Sequence, residues 1–423
     1  MISLSLKGIV VVSASELSQL ESNIIERLAA RQSAMESDLD RFVAIPTGTG
    51  HENGLAKFRS MMEDRLARLG AAIDFLDGDP TPAWIVQPGQ SANLASPPCL
   101  RAVSAHTSGP RVLLTGHLDT VHDPAGAFQS LTRTSLSRAE GPGAIDMKGG
   151  LVTMLHALEV LAECDVHIGW TVLLNSDEET GSFHSGRAIR AVAREHAARG
   201  GLGFAMEPAL PDGSVVVERL GSATFRLECI GKAAHAGRDF AQGVSAVNAL
   251  AARILDAANL VDLRAGTVVN IGPLEGASAT NIVAPRARAW GNARFKDAAH
   301  EARVLAGLRA LESAPDAPLP HTRLEYELNR PAKPSTAAMQ ALAQRVIEIG
   351  ALVGETIGTG KSGGVSDGNL MQAEGLTTLD TMGPRGGNLH RTDEFIELDS
   401  MAPRAAMLAL ALLRSQNGAA GLG

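Results

Sequence analysis

From Ser222 onward the apolar residues fall into an ordered alternation of periods that few folds can accommodate. Two-residue alternation over 224–230 is followed by a 3.6-residue pattern over 245–259 and by strand patterns over 267–271 and 287–295. A helical pattern over 298–312 and a last strand pattern over 322–328 complete the series. This β-α-β-β-α-β order is the ferredoxin-like arrangement of a small α+β unit. On either side the texture is that of an α/β protein: strands at 112–115, 170–175 and 204–206 alternate with helices at 150–162 and 185–198, and an apolar helix closes the chain at 402–413. The simplest parse is one α/β domain, a mixed sheet flanked by helices, formed by 1–220 and 331–423. The unit at 221–330 is inserted into it as a lid.

Further local signals lie before the first of these strands. Ser13 and Glu16 have capping-box spacing ahead of a helical pattern through Leu17, Leu20, Ile24, Ile25 and Leu28. A second helix is expected over 55–69, stopped by Gly70, and the Ser/Pro/Gly/Ala-rich stretch 86–110 is expected to be a surface loop. Residues 1–12 lack a convincing cleavage site and read as a short strand or leader rather than a signal peptide.

Composition excludes several classes of function. A net charge of −8 and aromatic content of 3% leave neither a basic surface nor a stacking platform for nucleic acid. No apolar run approaches the ~20 residues of a membrane span. Three cysteines, Cys99, Cys164 and Cys229, without CxxC spacing, suit reduced thiols in the cytoplasm. The glycines of 143–150 lack the spacing of a phosphate-binding loop.

Chemistry concentrates in five segments: GHLDTVH from Gly116, GAIDMKGG from Gly143, NSDEETGS from Asn175, AMEP from Ala205 and NLHRTDE from Asn388. From their side chains two imidazoles, a central aspartate and three glutamates can be drawn, the donor set that two adjacent divalent cations and a general base would use. His117 and Asp119 are two apart at a strand end and share a face, so the carboxylate can brace an imidazole whose other nitrogen binds metal. Asp146, in a glycine-lined turn ahead of a helix, can offer one oxygen to each of two cations. Glu178 and Glu179 diverge in extended chain, so one can ligate while the other faces the reacting water. Taken singly, each segment also has a plain structural role, such as a helix cap or a solvated turn. Their ordered co-occurrence carries the argument.

These residues resemble the metallopeptidase family that includes acetylornithine deacetylase, succinyl-diaminopimelate desuccinylase, aminoacylase and the glutamate carboxypeptidases. The likeness runs from about Glu36 to Leu413, and SDEETGS, EP, GKAAHAG and GGVSDGN point to the carboxypeptidase branch. The resemblance implies a two-domain metallo-exopeptidase fold with two divalent cations, Zn by family habit, though Mn and Co also suit mixed imidazole and carboxylate ligands. It places His117, Asp146 and Glu207 on one cation and Asp146, Glu179 and His390 on the other. Glu178 becomes the general base and Asp119 the support of His117. His235, in the GKAAHAG segment of the lid, is implied to reach across a homodimer to stabilise an oxyanion, and Asn281 and Arg330 to hold a substrate carboxylate.

The implied reaction is hydrolysis of a C–N bond in an N-acyl amino acid or small peptide by metal-activated water. His122 departs from the apolar residue usual in the family, and it is a candidate substrate contact or an outer support. With the atypical loop 123–140 it keeps open the family's 5-nitroanthranilate aminohydrolase branch, which releases ammonia from an aromatic amine. A catalytically dead metal- or peptide-binding protein is the alternative of another class. Glu178 and every implied ligand are nonetheless present.

Overall fold

The computed structural model describes residues 17–89, 97–106 and 111–415. The Ser13–Glu16 capping signal and the 1–12 leader lie outside them. The first described helix, Gln19–Ala29, is instead capped by Ser18, whose hydroxyl accepts from Glu21 N while the Glu21 carboxylate accepts from Ser18 N.

The larger sheet has six strands in the spatial order Ala72–Leu76, Cys99–Val103, Trp170–Asn175, Val112–His117, Leu202–Ala205 and Thr377–Leu379. The last four pair in parallel, and the second strand, Cys99–Val103, alone runs opposite to the other five, so the sheet is mixed. Both faces are covered by helices, and the Val112–His117 and Trp170–Asn175 strands are buried along their whole length. One correction falls here. The stretch 86–110 is not all loop, because Cys99–Val103 joins the sheet, pairing Leu100 with Leu174. The buried Cys99, Leu100 and Ala102 explain the pairing, although five residues in a Ser/Pro-rich setting give little periodic signal. The helix Gln32–Val43, which buries Met35, Leu39, Phe42 and Val43, also went unread in the sequence.

The inserted unit follows the expected order: Gly221–Ile230, Ala246–Ala258, Val268–Gly276, Arg286–Phe295, Ala298–Arg309 and His321–Arg330. Its four strands form an antiparallel sheet with Arg286–Phe295 and Gly221–Ile230 at the centre. Phe225, Leu227, Leu250, Val269, Val304 and Leu308 belong to a hydrophobic cluster separate from that of the larger domain. The two cores are independent.

Candidate metal centre

His117 closes an interior strand of the larger sheet at its C-terminal end and is 1% exposed. Its Nδ1 lies 3.0 Å from the Asp119 carbonyl. A carbonyl only accepts, so that contact places the proton on Nδ1 and turns the Nε2 lone pair outward. Nε2 lies 3.2 Å from Asp146 Oδ1 and 4.0 Å from Glu207 Oε1. The Asp119 carboxylate sits 3.5 Å from Nδ1, but its oxygens accept from Glu178 N (3.3 Å) and Glu179 N (3.0 Å). Asp119 thus fixes the backbone of both glutamates, and the imidazole is held mainly by its main chain.

Asp146 stands in a turn entered through Gly143 at φ +67°, a conformation that suits glycine. The turn leads into the helix Gly149–Glu163. A side chain at Gly150 would place its Cβ 2.0 Å from the Met206 carbonyl, so glycine lets this helix pack against the segment that carries Glu207. The turn itself is held from outside. Glu394, 1% exposed, accepts from Gly143 N (3.2 Å), Ile145 N (2.9 Å) and Asp146 N (3.1 Å). His122 Nε2 lies 2.6 Å from Glu394 Oε2. Through Nε2, His122 thus touches the carboxylate that holds the Asp146 turn, a contact in keeping with the outer-support reading.

Asp146 Oδ2 faces the second group: His390 Nε2 is 3.5 Å from it and 3.3 Å from Glu179 Oε2. Two triads, His117–Asp146–Glu207 and Asp146–Glu179–His390, each bring ligand atoms within 4.8 Å of one another, with Asp146 common to both. Glu179 Oε1 is buried without a partner. Without cations the pocket recruits protons. Burial pushes Glu178 up to about 7 and, with the Asp146 charge, Glu179 up to about 8. His390 is drawn up to about 10 by its contacts with Asp146 and Glu179. Burial works against charge on His117 and Asp146 as well, yet the carboxylates of Asp119 and Asp146 raise the imidazole, and His117 and His390 lower the Asp146 carboxyl. Crowded acids and proton-seeking imidazoles around an orphaned oxygen suit a pair of divalent cations.

Glu178 belongs to neither triad but lines the same cleft of about 360 Å³, together with Asp146, Glu179, Glu207 and His390. Behind it stands Arg330, and here the sequence expectation is overturned. Arg330 is wholly buried, and its donors reach Ser366 O (3.1 Å), Gly181 O (2.5 Å), Ser182 Oγ (2.7 Å), Asp367 Oδ1 (3.1 Å) and Glu178 Oε1 (3.2 Å). Every guanidinium nitrogen is engaged, so no donor remains for a substrate carboxylate. Arg330 braces Glu178 and the 178–182 turn.

The arginine that does line the cleft is Arg219, which sequence reasoning missed. Asp380 accepts from its Nε (2.9 Å), while Ser362 Oγ and Gly364 O accept from Nη1 (3.4 and 3.1 Å). Nη2 has no partner among the described residues. Asp380 in turn lies 3.3 Å from the buried Lys333 ammonium. Arg219 ends the strand Val215–Arg219 just before the insert, where the adjacent charges of Glu218 and Arg219 after three valines were the available signal. His235 and Asn281 lie elsewhere. They lie at the two-stranded antiparallel ladder in which Ala234–His235 pairs with Ile282–Val283, both are exposed, and neither lines the cleft.

Comparison with known proteins supplies the relationship. Residues 113–414 match the model of Peptidase family M20/M25/M40. The chain belongs to that family. It is 27% identical over 380 residues to carboxypeptidase G2 of Pseudomonas sp. (strain RS-16), covering 88% of this chain and 87% of that one. To a succinyl-diaminopimelate desuccinylase of Methylobacterium nodulans it is 31% identical over 227 residues, 48% of this chain and 55% of that one. In fold it resembles aminopeptidase PepT of Bacillus cereus, with a TM-score of 0.67 and 23% identity over 90% of this chain and 98% of that one. The M20 metallo-carboxypeptidase Sso-CP2 of Sulfolobus solfataricus gives a TM-score of 0.66 and 16% identity over 94% and 99%. The expected resemblance and fold class are borne out. The protein is a metal-dependent hydrolase acting on C–N bonds. Among its described residues no helix is long and apolar enough to cross a membrane.

Proposed function

We propose that this M20 hydrolase cleaves the amide bond of a small carboxylate-bearing substrate, an N-acyl amino acid or short peptide, with Glu178 as general base. The observation that carries the reading is the position of Glu178: largely shielded beside two triads that share Asp146, held in neither, and raised to about 7 by desolvation. His117, Asp146 and Glu207 would hold one divalent cation and Asp146, Glu179 and His390 the other; Zn fits these donors, as do Mn and Co. When bound, such cations supply Lewis-acid polarisation and make water more acidic.

The remaining work belongs to the side chains. Glu178 accepts the proton of the attacking water and returns it to the leaving nitrogen, a task suited to a group that titrates near neutrality. Arg330, 3.2 Å from Glu178 Oε1, fixes the direction of that carboxylate. Arg219 takes the role first given to Arg330, presenting Nη2 to a substrate carboxylate across the cleft. Asn281 and His235 act from the lid of a second subunit, His235 donating to the oxyanion. Support for a homodimer comes from the apolar side chains that the insert exposes, Phe240 at 66%, Leu255 at 68%, Leu263 at 74% and Leu274 at 59%. The three free cysteines fit a reducing cytoplasm.

The arylamine alternative drew on His122 and on the loop 123–140; the contact of His122 Nε2 with Glu394 weakens the first of these grounds and leaves the second. Metal-reconstituted protein should be assayed against N-acyl amino acids, dipeptides and aminobenzoates. Release of an amine and a carboxylic acid is the expected result. Release of ammonia with an aryl hydroxyl would transfer the function to the aminohydrolase branch.

A further inference from the structure

The strand Val112–His117 carries its metal-facing histidine at one end and begins, at the other, beside a cleft of about 180 Å³. Arg101, Arg111, Thr171, Glu195, His196 and Arg199 line it. Among its buried members is His196, 5% exposed. Its Nδ1 lies 2.9 Å from the Val192 carbonyl, an acceptor only, so Nδ1 carries the proton and Nε2 a lone pair. That Nε2 is buried without a partner among the described residues. Burial pushes the imidazole pKa down; the Val192 contact and Glu195 oppose this, while the charges of Arg111 and Arg199 press the same way as burial. The ring is neutral at pH 7 and waits for a donor.

The surrounding charge asks for the opposite. Arg111 is 8% exposed, and its Nη2 reaches only the His106 carbonyl at 3.2 Å. No carboxylate pairs with Arg111 or Arg199 among the described residues. Arg101 is neutralised by Asp74, with Nε 2.8 Å from Oδ1, which leaves Glu195 as the one acid lining the cleft. The cleft thus offers guanidinium donors that want an anion and, in the same space, an acceptor that wants a proton.

We propose that it binds hydrogen phosphate. The P–OH group donates to His196 Nε2, and the charged oxygens accept from Arg111 and Arg199. Few small anions carry both functions at neutral pH. Sulfate and the dianion of a phosphate monoester present guanidinium acceptors without a hydroxyl, so each leaves Nε2 unpaired or facing an oxygen. The site is independent of the catalytic reading and uses none of its residues.

Isothermal titration of the metal-loaded enzyme at about pH 7.5 tests this, with inorganic phosphate, sulfate and phenyl phosphate as the three probes. Phosphate should bind at least about tenfold more tightly than either of the others. Arg199→Ala, at an exposed position, should weaken phosphate by about tenfold or more, and His196→Phe should abolish the preference for phosphate over sulfate. Amide hydrolysis should be unchanged in both variants, which also certifies their folding. Equal affinity for phosphate and sulfate would overturn the proposal. So would phosphate binding unmoved by Arg199→Ala, which would assign the anion to the metal centre.

Discussion

The metal pocket and the lid's two-stranded ladder present their side chains in opposite ways. In the pocket, side chains from the ends of three neighbouring strands, from the Asp146 turn and from the 388–394 loop converge within about 4 Å of one another, and almost every backbone group that aims them is itself held. At the ladder, His235 and Asn281 are exposed, and a hydrogen bond from Ala236 N to Asn281 O extends the pairing of the two segments. A pocket prearranged by its own domain can bind cations alone. Outward-facing residues such as His235 and Asn281 would acquire a task only against a second surface.

That contrast can be broken most sharply at Glu178. Replacing it with alanine should lower kcat by up to about 10⁴-fold while metal content stays at the wild-type level, because the residue belongs to neither triad. Loss of metal from the purified variant would exchange the roles of Glu178 and Glu179. His235→Ala should cost about 10²–10³-fold in kcat with metal binding intact. If the histidine acts across a dimer, mixing this variant with Glu178→Ala should restore about a quarter of wild-type activity, since half the dimers are mixed and each carries one working site. An absence of recovery, with exchange verified independently, would confine His235 to its own subunit.

The two arginines separate binding from stability. Arg219→Ala should raise KM for a carboxylate substrate by about 10–100-fold. Arg330→Ala should instead destabilise the fold by about 3–5 kcal/mol, because it leaves Asp367 and Glu178 buried without their cation. Equal melting temperatures for Arg330→Ala and wild type would return Arg330 to the substrate.

The smallest effect is one of pH. Glu178 and Glu179 have folded values of about 7 and 8 against an ordinary 4.5. Groups raised in this way favour the fold while protonated, and their contribution is lost as pH rises through those values. Metal-free protein should therefore melt at a lower temperature at about pH 8.5 than at about pH 5.5. Added Zn should raise the melting temperature more at the higher pH, because cations replace the missing protons. A gain independent of pH would mean that the carboxylates are not the cation's ligands.

Much of this was legible in the sequence because a buried parallel strand announces itself as a short apolar run, and a residue just beyond its end must lie at the edge of the sheet. His117 after Val112–Thr115 and Glu207 after Phe204–Met206 are of this kind. What stayed hidden depends on contacts between distant segments. Arg330 in a loop-like NRP sequence gives no sign that Gly181, Ser182 and Asp367 will surround it. His122 looked available for substrate because its partner lies 272 residues away. The strand Cys99–Val103 is too short and too poor in β-branched residues to stand out from its surroundings.

The reach of Glu394 has a consequence for how the enzyme matures. Asp146 serves both triads, yet the turn that presents it is secured by a carboxylate nearly 250 residues later, from the same segment that supplies His390. During synthesis the strands bearing His117, Glu179 and Glu207 emerge long before that segment exists. Until it arrives the acids have neither their fixed geometry nor their last imidazole. Capture of cations by both triads would thereby wait for the 388–394 segment, and a product truncated before it would lack His390 and Glu394.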